Sequence, residues 1–216
     1  MFEDVTVIGA GRAGSAIAAR LRERGIAVRD HGELRLLCVP DRAIAEVAQA
    51  IDPGPWVAHV SGGTPLAALD PHLKRFSVHP LQTLTLARGP EQLDGAWGAV
   101  TAESEDAQAR ALWLAETLGL HPFVLADDKR ASYHAGAAIA SNFLVTLYRT
   151  ASQLFEEAGA PPEGLVPLMT RTIENDFDLT GPISRGDWET VERHRTALRG
   201  SGFEHAYEAL VEVTRA

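Results

Sequence analysis

The sequence predicts an α/β fold in which an N-terminal parallel sheet is followed by an all-helical C-terminal domain. Short apolar runs alternate with helical patterns through the first half of the chain, as in parallel βαβ units. A glycine-rich turn joins the first apolar run to the first helical pattern, and no strand pattern follows residue 126. We therefore expect two domains, 1–126 and 127–216, within the 216 residues.

The strands of the first domain are predicted from short runs of β-branched and other apolar residues bounded by turn residues. They are 5–8, 26–28, 34–39, 56–60, 76–78, 98–101 and 121–125. Helices are predicted over 12–24, from an N-cap at Asp41 to Ile51, and over 106–118. The connection between the second and third strands is too short to hold the usual crossover helix.

Helical spacing of apolar residues continues through the second domain. One long helix is predicted over 128–157, ending at Gly159, and a second begins near Pro162. A third begins after Asp187 as N-cap, and a fourth covers 203–213.

The glycine-rich turn fits the G-x-G-x-x-G pattern. It is formed by Gly9, Ala10, Gly11, Arg12, Ala13 and Gly14. A strand precedes it and a helix follows it, which is the context of a Rossmann-type dinucleotide-binding motif. Gly9 permits the tight turn, Gly11 lets the backbone approach a pyrophosphate, and Gly14 lets helix and strand pack closely. The alternative is a strand-to-helix turn that merely tolerates glycine.

The expected cofactor is NADP or NAD, and the sequence leaves the choice open. Asp30 or Glu33 is placed to bind an adenosine ribose, whereas Arg29 is placed to bind a 2′-phosphate instead. Val39 and Pro40, at the carboxyl end of the third strand, are expected to line the cofactor cleft. Pro40 is equally well explained as a strand terminator.

Composition narrows the classes of partner. The formal net charge of −9 disfavours nucleic acid. The most apolar stretch, 135–148, is shorter than the roughly 20 residues that span a bilayer. Cys38 is the single cysteine and the N-terminus is acidic, so we expect a soluble, cytoplasmic protein. The eight histidines show no metal-ligand spacing.

Five further motifs carry a resemblance to a known family. In order they are HVSG (59–62), SVHPLQT (77–83), KRASYHA (129–135), ASNF (140–143) and LTGPISRGD (179–187). With the glycine turn, they resemble the Rossmann-like proteins that carry domain of unknown function 2520, over nearly the whole chain. That family is similar to the group of 6-phosphogluconate dehydrogenase, ketopantoate reductase and pyrroline-5-carboxylate reductase.

The resemblance implies an NAD(P)-dependent oxidoreductase of unassigned substrate, with a helical domain that forms a homodimer. By analogy, the substrate is a small carbonyl, imine or hydroxy compound that bears an acidic group. The shortened second-strand region departs from the family pattern. It leaves open a non-catalytic dinucleotide-binding or scaffold protein with a degenerate cofactor site.

Four residues are candidates for catalysis because a hydride-transfer site needs a proton donor and a group that polarises the substrate. His79, expected on a loop before a proline, suits an acid or base. Lys129 suits polarisation of a carbonyl. His134 and Asn142 lie among small residues that let a cofactor, a substrate or a neighbouring helix approach. A backbone-bonded His79 and a solvated Lys129 are the structural alternatives.

Helical geometry prevents these candidates from forming a fixed set. At about 100° per residue, His134 and Ser141 share a face, while Asn142 and Lys129 point elsewhere. Tyr133, one turn after Lys129, is an alternative proton donor to His134.

Two further segments are open to functional or structural interpretations. Arg185 is suited to bind a carboxylate or phosphate, or to pair with a neighbouring helix. His59, with Ser61 and Gly62, ends the fourth strand, either near a nicotinamide or as a simple turn.

Overall fold

The computed structural model describes residues 1–215 and contains a seven-stranded sheet. Its strands are β1 (Asp4–Ile8), β2 (Ala27–Val28), β3 (Leu34–Leu37), β4 (Trp56–His59), β5 (Arg75–Leu81), β6 (Trp97–Ala102) and β7 (His121–Val124). The order across the sheet is β2-β1-β3-β4-β5-β6-β7. All neighbours pair in parallel except β5 and β6, which are antiparallel. The predicted α/β fold is confirmed, and the sheet, which was predicted to be parallel, is parallel except for the β5–β6 pair.

The helices occur in the predicted order, but one of the predicted helices is interrupted. They are α1 (Arg12–Glu23), α2 (Ile44–Gln49), α3 (Glu105–Thr117), α4 (Arg130–Ala138), α5 (Leu144–Glu157), α6 (Leu165–Glu174), α7 (Trp188–Leu198) and α8 (Glu204–Arg215). The single helix predicted over 128–157 is wrong in its continuity. A 3-10 turn, Asp127–Lys129, precedes α4, and a π-helical segment, Ile139–Phe143, separates α4 from α5.

The chain divides into two compact units, 1–141 and 142–216. The change from strands to helices occurs after β7, close to the predicted boundary at residue 126. The first unit nevertheless continues through α4, because Asp127 and Arg130 bond to the loop that follows β4. Among residues 1–215, no helix is long and apolar enough to cross a membrane.

Each face of the sheet contributes to a separate apolar core. On one face, Val5 and Val78 are fully buried in a cluster that includes Ile17 of α1 and Leu114 of α3. On the other face, smaller in extent, a fully buried Leu37 packs in a cluster with residues of α2 and of the segment after β4. Because side chains alternate along a strand, Leu37 of β3 and Val57 of β4 face this second cluster, whereas Leu36 and Ala58 face the first.

The chain passes from β2 to β3 directly across the face of β1. β2 and β3 flank β1 on opposite sides, and only residues 29–33 connect them. A Cβ atom on Gly32 would lie 2.8 Å from the carbonyl carbon of Val5, so only glycine allows the two backbones to cross so closely. The Gly32 N–H donates to Thr6 Oγ1 at 2.8 Å. This crossing replaces the crossover helix, whose absence was predicted.

The second unit, taken by itself, contains α5 to α8. Asp187 caps α7, as predicted, and accepts a hydrogen bond from the Thr190 N–H at 3.1 Å. Arg195 of α7 forms a two-point ion pair with Glu208 of α8, with Nε–Oε1 at 2.8 Å and Nη2–Oε2 at 3.1 Å.

Candidate functional site

The glycine turn lies at the carboxyl edge of the sheet, directly after β1. Gly9 adopts φ +113°, and a Cβ on it would lie 2.4 Å from the Cys38 carbonyl oxygen. A Cβ on Gly14 would lie 1.9 Å from the Gly9 carbonyl oxygen. The fold itself therefore requires both glycines. Gly11 differs, because a Cβ there would meet no atom within 4 Å and its φ of −75° suits any residue.

The amino end of α1 presents backbone N–H groups at this edge. No side chain caps the helix, and its first turn contains no acidic residue. Arg12, its first residue, is exposed. Uncapped N–H groups at the positive end of a helix dipole are suited to bind an anion.

The wall beside the glycine turn is formed by the segment after β3. A Cβ on Gly9 would lie 3.3 Å from Val39 Cγ1, so the turn and this segment are in close contact. Pro40 is exposed and precedes a 3-10 turn, Asp41–Ala43. Asp41 was predicted to cap the following helix, which is wrong. Its carboxylate instead accepts a hydrogen bond from the Ser61 hydroxyl at 2.8 Å, because the residue lies inside the 3-10 turn.

The residues expected to contact an adenosine lie towards the opposite edge of the sheet. Glu33 accepts a hydrogen bond from the Glu3 N–H at 3.1 Å, and its own N–H donates to Asp4 Oδ1 at 2.7 Å. The Arg29 N–H donates to the Val5 carbonyl. These contacts are with Glu3, Asp4 and Val5, towards the amino end of β1 and about 10–16 Å from its carboxyl end at Ile8. Glu33 is thus held away from the glycine turn, because the chain crosses β1 so early.

The turn after β4 is held by the Ser61 hydroxyl. Ser61 Oγ accepts the N–H groups of Gly63 at 3.2 Å and Thr64 at 3.0 Å while bonding to Asp41. The fully buried His59 accepts the Ser61 N–H on Nδ1 at 3.2 Å. Burial lowers the pKa of His59 to about 3, so the ring is neutral and supports the turn. This geometry favours the structural alternative for both residues.

Arg130 connects this turn to the start of α4. The residue is 1% exposed, and its Nη1 donates to the Ser61 carbonyl at 2.8 Å. Its Nε donates to Asp127 Oδ1 at 2.9 Å, and Asp127 also accepts the Leu66 N–H. Burial lowers the pKa of the guanidinium, and Asp127 opposes this shift. The pair therefore fixes α4 against the carboxyl edge of β4.

His79 lies inside β5, opposite Ala99 of β6, and not on a loop as predicted. The strand continues through Pro80 to Leu81, because pairing with β4 ends at Ser77 and the remainder pairs with β6. A proline that lacks an N–H is tolerated where a strand is paired on one side.

His79 Nδ1 lies 2.7 Å from the hydroxyl oxygen of Tyr133. Burial, with a smaller contribution from His134, lowers the pKa of His79 to about 4. Burial raises the pKa of Tyr133 to about 12. Both groups are therefore neutral near pH 7 and able to exchange a proton with each other.

His134 completes the cluster from the next position of α4. Its ring packs edge-on against His79, with centroids 6.0 Å apart. The turn after β4 lies against both rings, since a Cβ on Gly62 would be 2.8 Å from His79 Cε1 and 3.0 Å from His134 Cδ2. A Cβ on Gly63 would be 3.0 Å from His134 Nδ1. The structure thus brings His79, Tyr133 and His134 together.

The remaining candidates make other contacts. Lys129 Nζ lies 3.1 Å from Asp128 Oδ2, and both side chains are largely exposed. Asn142 lies in the π-helical segment at the start of the second unit, where its carbonyl accepts the Thr146 hydroxyl. Arg185, in the second unit, donates to the Thr180 carbonyl. The predicted roles of Lys129 and Asn142 stay predictions.

Sequence reasoning missed Arg130 and Asp127. Arg130 is the second residue of the KRASYHA motif, and Asp127 lies three residues before Arg130, about one helical turn away. An arginine that begins an alanine-rich helix three residues after an aspartate is a detectable signal for an ion pair. Its burial was not detectable, because the bonded carbonyls are 68 and 69 residues away in the sequence.

The comparisons identify the family. The model of the family described as domain of unknown function (DUF2520) matches residues 96–214, more than half of the chain. The chain belongs to this family. The matched region begins just before β6, so it includes Tyr133, His134 and the second unit, whereas the glycine turn and His79 precede it. No curated protein gives a significant match to the sequence.

Solved structures share the fold over nearly the whole chain. BF3122 of Bacteroides fragilis, named provisionally as an NADP oxidoreductase, is 21% identical with a TM-score of 0.84, covering 99% of this chain and 98% of its own. Protein TM1727 of Thermotoga maritima is 25% identical with a TM-score of 0.78, covering 98% and 96%. The 1-pyrroline-5-carboxylate reductase of Streptococcus pyogenes is 15% identical with a TM-score of 0.63, covering 98% and 96%. This DUF2520 protein thus has a Rossmann-like fold.

Proposed function

We propose that the protein is an NAD(P)-dependent oxidoreductase that acts on a small carbonyl, imine or hydroxy compound. The observation that carries this proposal is the open space around Gly11. It lies at the exposed carboxyl edge, where neither its φ nor any neighbouring atom requires glycine. An approaching pyrophosphate provides the reason, because a side chain at this position would block contact with the uncapped amide groups.

The names of similar structures agree with this proposal. One is named provisionally as an NADP oxidoreductase, another is a reductase, and a third, from Cupriavidus necator at 21% identity with a TM-score of 0.60, was solved with NAD. The cofactor residues we propose are those of the glycine turn together with Val39 and Pro40. From β1 to β5 the carboxyl edge spans three strand spacings, about 14 Å, which an extended dinucleotide can bridge.

His79, Tyr133 and His134 are the proposed catalytic cluster. A bound nicotinamide supplies or accepts the hydride, so the protein needs to supply a proton and position the substrate. The Tyr133 phenol gives its proton to a substrate oxygen or nitrogen. The neutral His79 ring then gives its Nδ1 proton to the phenolate across the 2.7 Å contact while its Nε2 takes a proton from solvent, so the ring stays neutral. His134, which is exposed beside His79, is positioned to contact the substrate.

A second candidate function is a dinucleotide-binding protein without catalysis. The short β2 favours it, since Glu33 and Arg29 bond near the amino end of β1. A dinucleotide on the glycine turn would then lack the usual acidic partner for its adenosine ribose.

The experiment measures thermal and urea stability with NADH and NADPH, in the native protein and in Gly11→Val. A cofactor at 100 times its Kd should stabilise the native protein by about 2.7 kcal/mol. Gly11→Val should lose this shift while keeping its unliganded stability. Gly164→Val, another glycine with open space around it, is the matched control and should keep the shift.

The outcomes separate the two candidates. A native protein that responds to neither cofactor contradicts both. Turnover of keto acids, imines and hydroxy acids is measured by the change in nicotinamide absorbance. Cofactor binding without turnover of any of these compounds favours the second candidate over the first.

We also propose a homodimer formed through the helical unit. Many large apolar side chains of this unit are more than a third exposed, including Leu144, Val145, Val166, Leu168, Ile173, Phe177, Leu179 and Val213. Patches of this kind are typical of protein interfaces. Sedimentation should give a mass twice that of one chain, which is 23.2 kDa. Leu168→Glu should reduce the sedimented mass to that of a single chain. A native monomer at micromolar concentration would contradict the dimer.

A further inference from the structure

Aromatic side chains continue outward from His79 on one face of the sheet. His79 pairs with Ala99 of β6, which pairs with Phe123 of β7, so these side chains point to the same face. The next row towards the edge contains Leu81, Trp97 and His121. We call the surface formed by Leu81, Trp97, His121, Phe123 and Tyr133 the aromatic shelf.

The rings of the aromatic shelf form an unbroken series of contacts. The Trp97 and Phe123 centroids lie 6.2 Å apart, and those of Phe123 and Tyr133 lie 5.9 Å apart. Tyr133 in turn contacts His79, with centroids 5.5 Å apart and the rings nearly perpendicular. The series therefore leads from the protein surface to the hydrogen bond between Tyr133 and His79.

The aromatic shelf is exposed to solvent, whereas the opposite face of the same strands is buried. Trp97 is 56% exposed and Leu81 is 38% exposed, whereas Phe76, Val78 and Val100, on the other face of β5 and β6, are fully buried. An exposed apolar surface that ends at polar groups is typical of a ligand-binding site.

We propose that the aromatic shelf binds a ring of the substrate, which makes the substrate an aromatic carbonyl, imine or hydroxy compound. This inference rests on the proposed function, because it assigns Tyr133 and His79 to the reacting group. A substrate ring placed against Trp97 and Phe123 can form the offset-stacked and edge-to-face contacts that aromatic pairs favour. The reacting substituent of that ring is then on the side of Tyr133, since Phe123 and Tyr133 are neighbours in the series.

The experiment titrates phenylpyruvate by calorimetry into the protein saturated with NADP⁺, which has no hydride to transfer, with 3-cyclohexylpyruvate as the probe of matched size. Phenylpyruvate should bind about three- to tenfold more tightly than the cyclohexyl compound. Trp97→Leu should weaken phenylpyruvate binding about tenfold and remove the difference between the two probes. Trp188→Leu replaces another exposed tryptophan, in the second unit, and should change neither affinity.

Three results of the titrations would overturn the inference. They are equal affinity for the two probes, no binding of phenylpyruvate, and unchanged phenylpyruvate affinity in Trp97→Leu. A change in the sedimented mass of Trp97→Leu would also overturn it, because the shelf would then be an interface with another protein chain. Stabilisation by NADP⁺ is measured on the same samples, so a failed cofactor site is distinguished from a failed substrate site.

Discussion

The Nδ1 atom of His79 lies 2.7 Å from the hydroxyl oxygen of Tyr133, which joins the carboxyl end of β5 to the first turns of α4. Burial shifts the two pKa values in opposite directions, to about 4 for His79 and to about 12 for Tyr133. Near neutral pH the pair therefore holds exchangeable protons without net charge. Proton transfer then begins from a phenol and a neutral imidazole, and not from an imidazolium ion.

The pKa of His79 should depend more on burial than on its hydrogen bond to Tyr133. In an NMR titration, His79 should stay neutral down to about pH 5 in the native protein and in Tyr133→Phe. His134→Gln should raise the His79 pKa towards its ordinary value, because His134 is the second-largest cause of the shift. A His79 that titrates near 6.5 in the native protein would contradict the buried, neutral ring.

Stability should fall on acidification because two histidines are buried in the neutral form. Below about pH 6.5 the unfolded chain binds protons at both rings, whereas the folded protein does so only near pH 4 at His79 and near pH 3 at His59. The free energy of unfolding should thus fall by roughly 1.4 kcal/mol per pH unit for each histidine between these limits. Urea unfolding between pH 7 and pH 4.5 measures this slope.

Two variants separate His79 from the other titrating groups in that experiment. His79→Gln should remove about half of the histidine contribution to the slope. His31→Gln, which replaces an exposed histidine, should leave the slope as it is in the native protein. Equal slopes in all three proteins would show that His79 is protonated as easily when folded as when unfolded.

The fold was predictable because its main signals are local. The apolar run 5–8, the glycines at 9 and 14 and the helical spacing that follows all lie within one βα unit, and each glycine has a close backbone contact that explains it. The extension of β5 through His79 was not predictable. Pro80 normally ends a strand, and only the sheet order shows that this part of β5 has no β4 partner.

The candidate site was predictable in composition but not in arrangement. His79, Tyr133 and His134 were all singled out as chemically capable residues. Their proximity was not predictable, because Arg130 bonds α4 to the Ser61 and Gly62 carbonyls, which lie far away in the sequence. Ideal helical angles also failed beyond Ala138, because the π-helical segment changes the rotation per residue.

The glycines of the first unit should differ sharply in their tolerance of alanine. Gly14→Ala and Gly32→Ala each place a Cβ within 3.0 Å of backbone atoms, so each should destabilise the protein by at least about 2 kcal/mol. Gly11→Ala meets open space at an allowed φ and should change stability by less than about 0.5 kcal/mol. Urea unfolding measures all three. A large loss in Gly11→Ala would mean that the fold needs this glycine, and the argument for a pyrophosphate contact would lose its basis.

Removal of the Arg130 guanidinium should destabilise the protein more than any exposed ion pair does. Arg130→Met leaves the Asp127 carboxylate and the Ser61 carbonyl without their buried partner. We expect a loss of about 3 kcal/mol, at the low end for a broken buried pair because Asp127 is partly exposed. Arg193→Met breaks an exposed pair with Glu189 and should cost less than about 0.5 kcal/mol.

The same variant tests whether Arg130 positions the catalytic cluster. Without the guanidinium, α4 loses its bond to the turn after β4, so the Tyr133 hydroxyl should move away from His79 Nδ1. The His79 ring ¹⁵N shifts should then resemble those of Tyr133→Phe, with NADPH binding at the glycine turn retained. Native-like shifts in a folded Arg130→Met protein would show that Tyr133 and His79 meet without help from Arg130.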